Sequence, residues 1–88
     1  MFEFDDEKSQ TNKIKHGLDF QEAQKLWEVP SVILRSKFTD EIRYLLIGKL
    51  DDKCWTAIFT ERHYLIRIIS VRRSRKEERI KYEQNIKE

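Results

Sequence analysis

A group of arginines in an apolar segment is the most informative feature of this sequence. Residues 61–73 read as a strand, but Arg67 interrupts the apolar run, and Arg72 and Arg73 end it. Arginine stays charged at physiological pH, and its planar fork of donors matches phosphate oxygens in pairs. The segment therefore predicts an anion site, with phosphate as the best-matched anion. The alternative is that these arginines are solvated or paired with carboxylates such as Glu61.

Strand geometry limits how these arginines can act together. In a regular strand Arg67 and Arg72 point to opposite faces, because side chains alternate with period two. A β-bulge near Ser70, or a strand that ends before Arg72, would bring both onto one face. Without such an irregularity we expect Arg72 to act with Glu61 or Tyr64. Arg67 would then form a structural ion pair.

Length and charge bound the class of protein. Eighty-eight residues predict a single domain over residues 1–88, with enough hydrophobic (39%) and aromatic (11%) content for one modest core. Residues 1–7 hold four acidic residues and no basic one, whereas residues 72–88 hold seven basic against four acidic residues. The sequence pI of 8.7 lies below the value of about 9 typical of dedicated DNA-binding domains. Nucleic acid is therefore an allowed partner but not one that charge alone requires.

Cysteine and histidine usage argues against disulfide and metal chemistry. Cys54 has no partner for an internal disulfide, and its apolar neighbours predict a buried thiol. His16 and His63 lie far from it and from each other, so no metal-ligand spacing exists. We predict no metal and no cofactor. Without a leader-like segment or an apolar run near 18 residues, we also expect a cytoplasmic protein with no membrane partner.

The N-terminal half predicts two helices. Asp5 or Asp6 is a good N-cap for the first, and Gly17 ends it. Helical spacing divides its side chains between two faces. The core face has Thr11, Ile14 and Leu18, and the solvated or binding face has Lys8, Asn12, Lys15 and His16. Asp19 begins a second helix with a capping box, and a core stripe runs through Trp27 before Pro30 stops it.

Strands and one further helix follow. The predicted strands are 32–36, 42–50, 54–60 and 64–72. The short connections between them require antiparallel pairing in a four-stranded meander, with residues 2–4 as a candidate fifth strand at one edge. Ser74 begins a final helix in a second capping-box match. The fold class is therefore α+β, with two N-terminal helices on an antiparallel sheet and a C-terminal helix.

Two motifs resemble the BrnT toxins. The first joins Phe2, Phe4 and Asp5 to the run from Lys8 through Lys15, His16 and Gly17 to Ala23, and the second is the turn at 60–62 followed by residues 67–73. The resemblance covers nearly the whole chain. It implies a RelE-like fold and a translation-inhibiting ribonuclease that acts on RNA. It also implies a BrnA-type antitoxin as the partner, with operator DNA contacted only through the antitoxin complex.

The chemistry of such a ribonuclease assigns roles to these residues. Metal-free RNA cleavage needs a proton removed from the 2′-hydroxyl, a proton given to the 5′-oxygen, and stabilised negative charge at phosphorus. Arginine can do only the last. We predict that Arg67 and Arg72 bind the phosphate. Glu61 is the predicted base, or the group that orients an arginine.

Four further residues are predicted to contact the substrate, namely Lys15, His16, Tyr64 and Arg73. His16 and Lys15 have a simpler alternative, because cations at a helix C-terminus commonly interact only with its carbonyl groups. Two other classes of protein stay open. One is a binding module that holds nucleic acid or protein without cleavage, which is favoured if Glu61 and His16 lie far from Arg67 and Arg72. The other is a structural subunit, which predicts a large apolar patch.

Overall fold

A five-stranded mixed sheet organises the fold. The structure, a computed structural model, describes residues 1–36 and 40–86. The elements in chain order are β1 (Phe2–Glu3), α1 (Asp6–His16), α2 (Phe20–Ala23), a 3-10 helix (Gln24–Glu28), β2 (Ser31–Ser36), β3 (Arg43–Leu50), β4 (Lys53–Arg62), β5 (Leu65–Arg73) and α3 (Lys76–Asn85). The predicted α+β class is confirmed.

The sheet has the order β1-β5-β4-β3-β2. Strands β2 to β5 form the predicted antiparallel meander. The N-terminal strand also joins the sheet as predicted, but it pairs in parallel with β5, so the expectation of a purely antiparallel sheet is wrong at this edge. The predicted connection at 37–41 lies partly outside the described residues, which omit 37–39.

The two faces of the sheet carry different helices. On one face, called the α1 face, Phe20, Ala23 and Leu26 pack against Trp55, Ala57 and Phe59 of β4. Trp27 packs at its rim between Phe2 and Phe59, with ring centroids 5.0 and 5.2 Å away, which confirms its predicted packing role. On the other face, called the α3 face, Tyr82 packs with Ile47 and Cys54.

Helix α1 has the predicted ends but a different buried face. Asp5 caps it by accepting a hydrogen bond from the Lys8 backbone, and Gly17 ends it with a φ of 96°. The prediction that Thr11 and Ile14 face the core is wrong, because Thr11 is exposed and 86% of Ile14 is accessible to solvent.

The buried residues of α1 are instead Ser9 and Asn12. The Ser9 hydroxyl accepts a hydrogen bond from the Phe20 backbone. Asn12 bonds to the backbone of Leu18 and Val71. Hydrophobic periodicity missed this face because the helix packs on the sheet through polar side chains that satisfy backbone groups.

The second helix begins as predicted and then tightens. Asp19 and Glu22 form the reciprocal capping box. The α-helix covers only Phe20–Ala23, and the 3-10 helix Gln24–Glu28 carries the rest of the predicted core stripe. Short 3-10 stretches are common where a helix gives way to a connection, here the one that contains Pro30.

The final helix starts one residue later than predicted. Arg75, not Ser74, immediately precedes α3, and its backbone N–H donates to Glu78 Oε1 over 2.8 Å. Ser74 does not cap the helix because its hydroxyl is bonded to Thr56 Oγ1, also over 2.8 Å. The chain therefore stays attached to β4 through Ser74 before α3 begins.

Candidate functional site

A β-bulge places Arg67 and Arg72 on the same face of the sheet. The consecutive β4 residues Ile58 and Phe59 pair with Ser70 and Ile68 of β5. Ile69 lies between these two partners and is therefore the extra residue. Of the two irregularities that would bring the arginines onto one face, the structure therefore has the β-bulge, next to Ser70.

The pairing across β4 fixes which face this is. Arg67 lies opposite Thr60, and Arg72 lies opposite Thr56. Because these threonines are four residues apart on β4, they share one face, the α3 face, and the arginines share it with them. At roughly 3.3 Å per strand residue, the two positions are about 13 Å apart along the strand.

Arg67 is accessible to an anion. About one third of its side chain is exposed, and Nη1 lies 3.8 Å from Glu3 Oε1. That distance is too long for a hydrogen bond, and ion pairs of this exposure contribute little to stability. A phosphate approaching the α3 face could therefore take up Arg67 donors without first breaking a strong contact.

Arg72, by contrast, is engaged within the protein. Its Nη1 and Nη2 donate to Glu78 Oε1 and Oε2, each over 2.8 Å. Thr56 Oγ1 and the Arg75 backbone N–H also donate to Glu78 Oε1, over 2.9 and 2.8 Å. The side chains of Arg72 and Glu78 are only 17% and 11% exposed. This charged network joins α3 to the sheet.

The network shifts the titration of both partners. Burial alone would raise the pKa of Glu78, but hydrogen bonds from Arg72, the Arg75 backbone and Thr56 outweigh it and lower that pKa to about 2. The same ion pair raises the pKa of Arg72 above its usual value. Glu78 is therefore a permanent anion at neutral pH and a poor candidate for a general base.

The β4–β5 hairpin carries Glu61 and Tyr64. Glu61 is exposed near the end of β4. Because side chains alternate along the strand, Glu61 lies on the α1 face with Phe59, whereas Arg67 lies on the α3 face. The two-residue turn is His63 and Tyr64, both with positive φ, 49° and 69°. Tyr64 is fully exposed. The structure thus places Glu61 and Tyr64 at the same end of the sheet as Arg67 but not on its face.

The remaining predicted residues gather at the opposite end of β5. Lys15 and His16 are exposed at the C-terminus of α1, next to Gly17. A Cβ on Gly17 would lie 3.7 Å from the Trp55 ring, and the Arg73 guanidinium lies 5.6 Å from the centre of that ring. This basic group therefore borders Trp55 on the α1 face.

A cleft of about 370 Å³ opens beside the same tryptophan. Its lining combines apolar and charged side chains: Gly17, Leu18, Glu22, Lys25, Leu50, Asp51, Lys53 and Trp55. The predicted substrate residues Lys15, His16 and Arg73 are not part of this lining. They border it through their neighbours Gly17 and Trp55.

Sequence reasoning missed Glu78 and misjudged Asn12. Glu78 was hidden because the predicted capping box ran from Ser74 to Glu77, one residue too early. Glu78 itself carries only a weak local signal, because Arg75, three residues before it, is not a usual N-cap residue. Asn12 gave no comparable signal, since an asparagine among exposed polar residues looks like any solvated position.

Two features are absent from the part of the chain that the structure describes. Among residues 1–36 and 40–86, no helix has the length and apolar character needed to cross a membrane. Within the same ranges, no group of three or more histidine, cysteine, aspartate or glutamate side chains is arranged to hold a metal ion.

These features define a class, that of a small α+β domain whose last strand presents arginines on a sheet only partly covered by helices. Residues 4–78 match the family model described as the ribonuclease toxin, BrnT, of type II toxin–antitoxin systems, and the chain belongs to this family. No curated protein matches the chain. Family membership makes RNA the substrate and an antitoxin the partner.

Proposed function

We propose that this toxin is a metal-independent endoribonuclease that inhibits translation by cutting RNA at the end of the sheet that carries Arg67, Glu61 and Tyr64. The observation that carries the proposal is the bulge at Ile69, which brings Arg67 and Arg72 onto one face of the sheet. Two cations spaced along a strand suit the repeating charge of an RNA backbone. The cytoplasm, where RNA is translated, is the proposed place of action.

Arg67 is the proposed phosphate ligand nearest the chemistry, and Arg72 is the second one. Glu61 is the proposed base or orienting group, because it lies at the same end of the sheet as Arg67. Among the described residues, no hydrogen bond to another group occupies its carboxylate. Tyr64, which is exposed at the hairpin tip, is the proposed stacking partner of an unpaired base. Lys15, His16 and Arg73 would attract a more distant part of the RNA by charge.

Metal independence is supported by the kinds of side chain at the proposed site. Arginines can stabilise charge at phosphorus, while Glu61, His63 and Tyr64 supply groups that can accept or donate protons. We further propose a BrnA-type antitoxin as the neutralising partner. Contact with operator DNA would then occur only through the complex with that antitoxin.

The deciding experiment is RNA cleavage by the purified chain in excess EDTA. After separation from its antitoxin, the wild type is compared with Arg67→Ala and Glu61→Ala. Arg35→Ala is the matched control, because Arg35 is an exposed arginine on the distant strand β2. We expect the first two substitutions to slow cleavage by about 100-fold or more and the control to leave it unchanged.

A second candidate function is RNA binding without cleavage. Glu61 lies on the face opposite Arg67, and Arg72 is already engaged by Glu78. This separation of the predicted base from the predicted phosphate ligands favours binding without cleavage. If the folded wild type leaves RNA uncut in EDTA, with magnesium and with ribosomes added, the binding function replaces the catalytic one.

A further inference from the structure

The Glu78 carboxylate occupies the position at Arg72 where a phosphate would bind. A carboxylate and a phosphate both present two oxygens to the paired donors of a guanidinium. In the structure both terminal nitrogens of Arg72 are used by Glu78, and Nη1 also lies 3.4 Å from the Arg73 carbonyl oxygen. Arg72 therefore cannot offer paired donors to RNA while this contact persists.

Helix α3 is held to the sheet mainly through this contact and one aromatic ring. Among the described residues of α3, only Glu78 and Tyr82 are buried. Tyr82 packs with Ile47 and Cys54, the half-buried Ile86 just beyond the helix joins this cluster, and Ile80 is 41% exposed. A helix with so little apolar contact is a weakly attached element, and its local release needs less free energy than opening the core.

The chain on either side of the contact is arranged so that α3 can release without disturbing the strand. Ser74 is fixed by its backbone N–H to the Cys54 carbonyl and by its hydroxyl to Thr56. Arg75 is tied only to Glu78 and to the helix that follows, through its own N–H and its carbonyl. Once Glu78 is released, α3 keeps the packing of Tyr82 and the hydrogen bond from Arg79 Nη1 to the Ser74 carbonyl, 3.0 Å long, while Arg72 stays in β5.

We propose that α3 is an autoinhibitory cover in which Glu78 takes the place of an RNA phosphate at Arg72. RNA binds Arg72 only after this carboxylate withdraws. The cover therefore lowers the affinity of the toxin for RNA, because a backbone phosphate must first replace Glu78. The inference rests on the proposed function insofar as Arg72 is a phosphate ligand. The guanidinium is paired both before and after the exchange, first with the carboxylate and then with the phosphate, so neither state leaves a buried charge alone.

The test measures RNA binding separately from cleavage. A fluorescein-labelled, single-stranded 2′-O-methyl RNA keeps its phosphates but lacks the attacking hydroxyl, so anisotropy with the full-length chain reports binding alone. Glu78→Gln is compared with Glu77→Gln, which removes the same charge from the adjacent exposed position. We expect Glu78→Gln to bind about 10-fold more tightly, as one freed charge-assisted contact would allow, and Glu77→Gln to change affinity by less than about 3-fold.

A double variant and a conservative one complete the design. Adding Arg72→Ala to Glu78→Gln should abolish the gain. If Glu78→Gln does not fold, Glu78→Asp keeps the charge but shortens the reach, and a gain of a few fold is expected from it. Equal or weaker binding by folded Glu78 variants, relative to Glu77→Gln, overturns the inference and makes Glu78 a structural partner of Arg72.

Cleavage of ordinary RNA in EDTA by the same proteins separates the two proposals. If the variant gains binding through Arg72 but neither protein cuts RNA, the cover is supported and the catalytic function fails. If the wild type cuts RNA and Glu78→Gln gains neither binding nor rate, the catalytic function stands and the cover is overturned.

Discussion

The Asn12 side chain pairs with both backbone hydrogen-bonding groups of Val71. Asn12 Nδ2 donates to the Val71 carbonyl over 2.8 Å, and Asn12 Oδ1 accepts from the Val71 N–H over 3.2 Å. The amide thus acts as a one-residue strand along the outer edge of β5, where β1 pairs only with Ile66 and Arg67. It closes that edge two residues beyond the bulge and ties α1 to the strand that carries the arginines.

Replacing Asn12 should destabilise the protein more than any exposed change on the same helix. Asn12→Ala leaves the N–H and carbonyl of Val71 without these partners at a buried position. We expect the free energy of unfolding to fall by about 2 to 4 kcal/mol. Urea denaturation measures this, with Gln10→Ala as the exposed control on α1. A loss below that of the control would mean that Asn12 does not hold the edge.

The Arg72–Glu78 pair should make stability depend on acid pH. Because the folded pKa of Glu78, about 2, lies below its ordinary 4.5, the stabilisation is complete above pH 4.5 and is lost as pH falls toward 2. The difference corresponds to about 3 kcal/mol. The free energy of unfolding, measured by denaturation at pH values from about 6 to about 2, should therefore fall less steeply for Glu78→Gln than for the wild type.

The control for this pH dependence is again Glu77→Gln, whose profile should parallel that of the wild type. Both variants lose one titrating carboxylate from the same helix turn, so only the paired position should matter. Parallel profiles for all three proteins would assign the acid sensitivity to other carboxylates.

Gly17 should be needed for its backbone conformation alone. Its φ of 96° lies in the left-handed region, while a Cβ there would meet Trp55 at an ordinary 3.7 Å. Gly17→Ala is therefore expected to lower the free energy of unfolding by about 1 kcal/mol. Gly17→Asn should lose less, since asparagine tolerates this conformation better than alanine does. An equal loss from both in urea titrations would point to a packing role instead.

The hairpin turn at Tyr64 should trade stability for RNA contact. Tyr64 has a φ of 69°, which is unfavourable for a side chain, so Tyr64→Gly should stabilise the fold by about 1 kcal/mol. If its ring stacks on a base, the same change should weaken RNA binding by about 5-fold or more. Thermal unfolding and anisotropy with single-stranded RNA measure the two effects.

Asp52→Gly provides the matched control for Tyr64→Gly. Asp52 has a similar φ of 64° in the β3–β4 turn, at the opposite end of β4 from Tyr64. Asp52→Gly should gain comparable stability with no loss of RNA binding. Unchanged RNA affinity in Tyr64→Gly as well would remove Tyr64 from the substrate site.

Local signals in the sequence were enough to determine most elements. Asp5 and Gly17 mark the ends of α1, Asp19 begins α2, and short connections require the antiparallel meander, because caps and turns depend on residues a few positions apart. The bulge was also predictable, as a condition for Arg67 and Arg72 to share a face. The α+β class and the family resemblance followed from these same local patterns.

Tertiary structure alone decided how the site is assembled. Neither the parallel pairing of β1 nor the burial of Asn12 has a local signature, since both depend on backbone groups of β5 more than fifty residues away in the chain. The pairing of Arg72 with Glu78 follows from where α3 docks. Long-range hydrogen bonds and ion pairs form between segments that are far apart in the chain, and no local sequence pattern indicates which segments will meet. Only the folded chain therefore shows that Arg67 is accessible and that Arg72 is paired with Glu78.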